Sequence, residues 1–272
     1  MCMFGGGGGG PIQLKVGGTC IFARAQGERQ ILVYSMNVAA AEPVAMVLPL
    51  PMPPESPDDA VRFVDLSAYP SFFVDLNDAF PPIMAPASKG PSRGGGGPLK
   101  TTLKVHRAGD FEASFVPTLA DFDRLDARFR LDGSVWDALP QYADWGFAVF
   151  QLSDLGPTSF WQRWFGVRPK TIHPMALEFP RRDASRLFFP TVHVHDGQVH
   201  LKESFDHSLF WQSPTPPPML APWDVSPIAR EAVDVARTAG LVDAGVPFYR
   251  RQVLGVRDNT DHWLVDGELV AR

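Results

Sequence analysis

The chain has 272 residues, 45% of them hydrophobic and 20% charged, with a net charge of −5 from 25 basic and 30 acidic side chains. That length can bury a substantial core, and cations scattered along the sequence exclude the concentrated basic patch that nucleic-acid binding needs. No apolar run reaches the roughly 18–20 residues of a membrane span, and the start, MCMFGGGGGG, has neither the basic nor the apolar stretch of a secretory signal. Two cysteines, Cys2 and Cys20, exclude a disulfide framework though not one bridge, and a cytoplasmic location is expected. The partners left open are a small molecule, another protein or a second copy of the chain.

In chain order, Gly5–Gly10 reads as a flexible joint between Met1–Phe4 and the body. Two strands, 19–25 and 29–38, flank the turn residues Gln26-Gly27-Glu28 and predict a hairpin. The run 44–50 (VAMVLPL) is an apolar strand closed by prolines, and 68–79 is a short helix. A Pro/Gly-rich loop at 81–98 contains a second glycine run, Gly94–Gly97. The chain is read as one large domain, 1–272, with two halves, 1–90 and 98–272, as the alternative. Beyond the loop, 102–116 predicts two strands around Ala108-Gly109-Asp110, and helices are expected over 118–129 and 134–142. Further strands are expected at 145–152, 175–179, 187–195 and 198–202. Ser226-Pro227 starts a helix that Gly240 stops, and 262–271 is an Asp-Gly hairpin. The expected class is α+β: mainly antiparallel, sandwich-like sheet with a few inserted helices.

Four of the seven histidines, His193, His195, His200 and His207, fall within fifteen residues. Asp196-Gly197 is a hairpin signal, and a turn there opposes residue 193 to 200. Alternation then puts His193, His195 and His200 on one face and Val192, Val194, Val199 and Leu201 on the other. Neutral imidazoles so arranged are candidate ligands for zinc, iron or copper. His207 stands as a fourth ligand, and Asp196 or Asp206 as a ligand, a supporting acceptor or an acid–base group. A metal with an open position would activate water, so a metal-dependent hydrolase or oxidase is one expectation. Thr191 and Lys202 flank the same face, so a solvated hairpin in a non-catalytic β-rich binding or assembly module is the alternative. Structural hydrogen bonding by the imidazoles and metal-free acid–base chemistry are also open.

Cys2 is a candidate amino-terminal nucleophile, whose own amine would serve as base once Met1 is removed, as in amidohydrolases and amidotransferases of that type. It is also a candidate thiolate ligand. The cluster FWQRWF (160–165) reads as loop packing or a ligand groove, and Arg181-Arg182-Asp183 as a solvated turn or an anion clamp. No nucleophile elbow, phosphate loop, dinucleotide fingerprint, paired-cysteine or HExxH motif occurs.

Cys2, a strand ending in Ile21-Phe22-Ala23, its partner Ile31–Met36 and an apolar strand closing on Val47-Leu48-Pro49-Leu50-Pro51 resemble an uncharacterised bacterial family, a domain of unknown function. The resemblance covers roughly the first seventy residues and implies no activity.

Overall fold

The computed structural model describes residues 2–6, 14–40, 44–80, 111–124, 131, 133–152, 170–220, 222–226 and 229–272. Its strands form mostly antiparallel sheets, with few helices. The first sheet has five strands: β1 (Cys2–Gly6), β4 (Val44–Leu50), β6 (Phe111–Val116), β7 (Gly146–Leu152) and β11 (His193–Val194), in the order β11-β1-β4-β7-β6. The second is built on β2 (Leu14–Gln26), β3 (Arg29–Ala40), β5 (Arg62–Val64), β9 (Met175–Pro180), β12 (Lys202–Gln212), β13 (Asp224–Ser226) and β14 (Phe248–Asp258). These run in the order β13-β14-β12-β2-β3-β9-β5, with β8 (Lys170–Thr171) also on β3. A third sheet orders β10 (Arg186–Phe189), β15 (His262–Val265) and β16 (Glu268–Ala271). Parallel pairing occurs between β1 and β11 and between β2 and β12.

Alternation explains the layers. Even residues of β4 (Met46, Leu48, Leu50) and of β7 (Ala148, Phe150) share one core with Ile21, Leu32, Tyr34, Leu209 and Trp211 of the second sheet. The odd residues Val47, Phe147 and Val149 turn to the other side, under α2 (Gly133–Asp137) and the 3₁₀ turns Leu119–Arg124 and Pro140–Tyr142. On the far side of the second sheet, Phe22, Ile31, Val33 and Phe210 pack on α1 (Phe72–Asp78). Two turns need left-handed backbone and have it: Gly27 (φ 58°) joins β2 to β3, and Asp266-Gly267 (φ 50° and 82°) joins β15 to β16.

Several expectations are corrected. Gly5 and Gly6 are strand residues paired with Ala45 and Val44, and Met3 and Phe4, at 0% and 1% exposed, are core rather than a tether, while Gly7–Gly10 lie outside the described residues. The apolar side chains of Met3 and Phe4 reach both faces of the sheet. The expected strand 187–195 is interrupted after Phe189, where Pro190 cannot donate to a ladder. The long strands β12 and β14 replace the expected 198–202 strand and a stretch without prediction. The helix after Ser226 is shorter than expected: α3 (Ala229–Ala232) and a 3₁₀ turn, Val235–Thr238, ended by left-handed Ala239 and Gly240. β-Branched Val233, Val235 and Thr238 weaken the helix, and the Ser226 hydroxyl donates to Ala79 O. The second glycine run, the 102–110 strand, residues 125–129 of the expected second helix, Pro227 and FWQRWF lie outside the described residues.

Candidate functional site

The hairpin expected at Asp196-Gly197 does not form. Gly197 has the left-handed φ of 79° and Gln198 N donates to Asp196 Oδ1, but the chain then runs as loop to Lys202. β11 pairs instead with β1, Cys2 opposite His193 and Met3 opposite Val194. Two side chains from the loop after β14 hold it there. Asp261 accepts from Thr191 N and Val192 N, at 2.8 and 3.1 Å. Asn259 accepts from His193 N at 2.7 Å and donates to His193 O and His200 O at 2.8 and 3.0 Å. Local strand pairing therefore yields to a longer-range clamp.

The two faces still sort as alternation requires. Val192 and Val194 pack with Val47 and Phe147. His193 and His195 lie on the other side, towards the core between the two large sheets, with His195 against Phe4 (6.0 Å between ring centres). Phe205, Leu209 and Trp211 of β12 belong to that core, and His207 occupies the intervening position. The rings of His193 and His207 stack at 4.9 Å, and their Nε2 atoms are 3.2 Å apart. His195 stacks on His193 at 4.9 Å, and Phe205 on His193 at 4.7 Å. His193 is 4% and His207 0% exposed. Two ring nitrogens, His195 Nε2 and His207 Nδ1, are buried without a hydrogen-bond partner.

Burial disfavours charge on these rings. It pushes His193 down to about 3 and His195 to about 4, and lowers His207 well below the usual imidazole range. All three are neutral at pH 7, as metal ligation or an N–H···N hydrogen bond requires.

The remaining candidates lie apart. His200 is half-exposed, 2.9 Å from Asp196 Oδ2, and that hydrogen bond raises its pKa. Asp206 accepts from Gly18 N at 2.6 Å, across the irregular stretch where β2 shifts register between Gly17 and Cys20, and its Oδ1 is 3.9 Å from His207 Nδ1. The Cys20 thiol is pushed up to about 11 by burial, so it is not a thiolate nucleophile. His262, isolated in sequence and expected to be a satisfied or surface histidine rather than a ligand, lies at the edge of the cluster: it is 7% exposed, its Nδ1 lies 2.7 Å from Thr191 Oγ1, and its ring is 6.2 Å from Phe205. Among the described residues, no three His, Cys, Asp or Glu side chains stand together closely enough to hold a metal ion.

No protein-family model matches the chain, and no curated protein matches it. Among solved structures it is similar to the crystal structure of baculovirus P35, at 13% identity and a TM-score of 0.44 over 78% of this chain and 74% of that one. That likeness is too slight to carry function across. No helix among the described residues is long and apolar enough to cross a membrane. Fold and site together define a β-rich α+β protein with a neutral histidine cluster closed between its sheets.

Proposed function

We propose that this chain binds one divalent transition-metal ion (zinc, iron or copper) between His193 and His207, with His195 and Cys2 completing the set. The observation that carries this is the 3.2 Å separation of two buried, neutral Nε2 atoms. Tetrahedral ligands at a metal–nitrogen distance of about 2.0–2.1 Å stand about 3.3 Å apart. Cys2 is the backbone register partner of His193, and its residue type is a candidate thiolate ligand. The unpartnered His195 Nε2 is a further donor, once its ring turns. Enclosure favours a metal that ties β11 to β12 over an open hydrolytic or oxidative centre, which needs a free coordination position. Elemental analysis of protein made without a histidine tag tests the reading. A stoichiometric metal, lost in a His193→Ala/His207→Ala variant, supports it; metal-free protein whose melting is indifferent to chelator and to added zinc removes it.

A second reading has its own support. An N–H···N hydrogen bond between neutral imidazoles also spans 3.2 Å. The cluster is then a metal-free packing element of a non-catalytic binding or assembly module, and the metal-free outcome selects it. The Cys2 nucleophile, with His193 alongside, is tested by intact mass: retention of Met1 removes it.

A further inference from the structure

Four arginines, Arg181, Arg182 and Arg186 from one turn and Arg272 from the last strand's end, line a cavity of about 530 Å³ together with Trp145, Trp263 and Thr260. The volume is that of a pocket for a small organic molecule. The arginines differ in what they already hold. Arg182 is committed to Asp144, at 3.0 and 3.1 Å, and to Met52 O. Arg186 lies with its guanidinium 4.5 Å from the Trp263 ring centre, and its Nε is 2.8 Å from Asp183 Oδ2, a contact of charge rather than of hydrogen-bond direction. Arg181 has no carboxylate within ion-pair distance among the described residues. Its terminal nitrogens donate to Ala184 O and Gly27 O, while its Nε is buried without a partner.

Thr260 Oγ1, in the same lining, is likewise buried and unpartnered. Buried polar atoms are ordinarily satisfied. An unpaired guanidinium N–H and an unpaired hydroxyl on residues of one cavity lining are donors that an anionic ligand can accept from. The carboxylates in the lining do not supply them. Asp183 is drawn to Ser185 and Arg186, and Asp261 is taken up by Tyr142, Thr191 and Val192.

The rest of the wall is aromatic. Trp145 and Trp263 meet nearly at right angles (88°), with Phe188 packed against both. Flat apolar walls suit a flat apolar ligand. Asp183, in the same lining, disfavours a doubly charged phosphate and favours a single negative charge.

We propose that this cavity binds an aromatic monocarboxylate, with the carboxylate on Arg181 Nε and Thr260 Oγ1 and the ring packed against the exposed edges of Trp145 and Trp263. The site is separate from the histidine cluster and stands whether or not that cluster takes a metal.

Isothermal titration of the full chain with 2-naphthoate, its neutral alcohol 2-naphthalenemethanol, and phenyl phosphate tests it. 2-Naphthoate is expected to bind, the alcohol at least tenfold more weakly, since it lacks a charge-assisted hydrogen bond. Arg181→Gln should weaken naphthoate about tenfold and leave the alcohol unchanged; Thr260→Val should weaken it several-fold. If Arg181→Gln fails to fold, as judged by circular dichroism, Thr260→Val and the acid–alcohol comparison still decide. No naphthoate binding at millimolar concentration, equal affinity for acid and alcohol, or naphthoate affinity unmoved in the folded variants overturns the proposal. Phenyl phosphate binding more tightly than naphthoate overturns the choice of a monoanion.

Discussion

Asn259 grips the backbone of His193 on both sides, accepting from its N–H at 2.7 Å and donating to its carbonyl at 2.8 Å. A single amide side chain thus completes the pairing of β11 on the side away from β1. It also donates to His200 O, which anchors the far end of the loop. Truncation strands a buried donor and acceptor, a loss of about 1–3 kcal/mol. Asn259→Ala is therefore expected to lower the urea midpoint with unchanged slope and to raise amide exchange over 193–200. Unchanged exchange there would show that β1 alone holds β11.

Acid should unfold this protein early. Burial holds His193 near 3 and both His195 and His262 near 4, while the unfolded chain titrates near the ordinary value of 6.5. His207 is lowered further in the same direction. Below pH 6.5 the unfolded state therefore binds protons that the folded state refuses. Stability is full above that pH and falls towards the folded values, by up to about 1.4 kcal/mol per pH unit for each histidine. Asp261 opposes this with one proton, because burial raises its pKa. Urea titrations at pH 7, 6 and 5 with chelator present should show the decline, shallower in His262→Gln. A flat profile from pH 7 to 5 would contradict it.

Much of this was written in local pattern. The hairpins at Gly27 and at Asp266-Gly267 follow from turn chemistry, and β4 follows from an unbroken apolar run. The division of His193 and His195 from Val192 and Val194 also followed from alternation. What misled was the pull of one strong signal. Asp196-Gly197 has hairpin residues, but Asn259 and Asp261, more than sixty positions away, hold 191–193 against β1 instead. No window centred on 196 contains that information. His200 consequently left the cluster and His262 entered its edge. β1 was missed because strands rarely run into glycine repeats, and β12 because its alternation of Phe205, His207, Leu209 and Trp211 puts a histidine where an apolar residue is expected.

The fully buried Asp261 depends on Tyr142, whose hydroxyl donates to it at 2.5 Å. Tyr142→Phe removes that donor and leaves the ring in place. It is expected to cost about 1–3 kcal/mol and to push Asp261 further up, so the loss is larger at pH 8 than at pH 5. Equal losses at both would show that Asp261 keeps one protonation state from pH 5 to pH 8.

Asp206 and His207 are neighbours in sequence with separate tasks. The Asp206 carboxylate accepts from Gly18 N, where φ is 62° and an added Cβ would stand 2.5 Å from Asn37 Nδ2. Asp206→Ala should destabilise by about 1–2 kcal/mol, and Gly18→Ala by a similar amount through left-handed strain. Neither should change metal content. Metal lost from folded Asp206→Ala protein would place that carboxylate in the ligand set after all.

His207→Leu separates the two readings of the cluster. The substitution fills the buried position with apolar atoms and removes an imidazole whose Nδ1 has no partner. If the cluster is metal-free packing, the variant sheds the unsatisfied Nδ1 but strands the buried His193 Nε2, so a loss of at most about 1–3 kcal/mol is expected, the same with and without zinc. If His193 and His207 share an ion, the variant loses it, and with it the linkage contribution of a bound ligand, about 4 kcal/mol at a thousandfold excess over Kd. Zinc should then raise the melting temperature of the parent and leave His207→Leu unmoved, with Cys2→Ser between them. A parent and a His207→Leu variant that respond alike to zinc and to chelator would assign the 3.2 Å contact to a hydrogen bond.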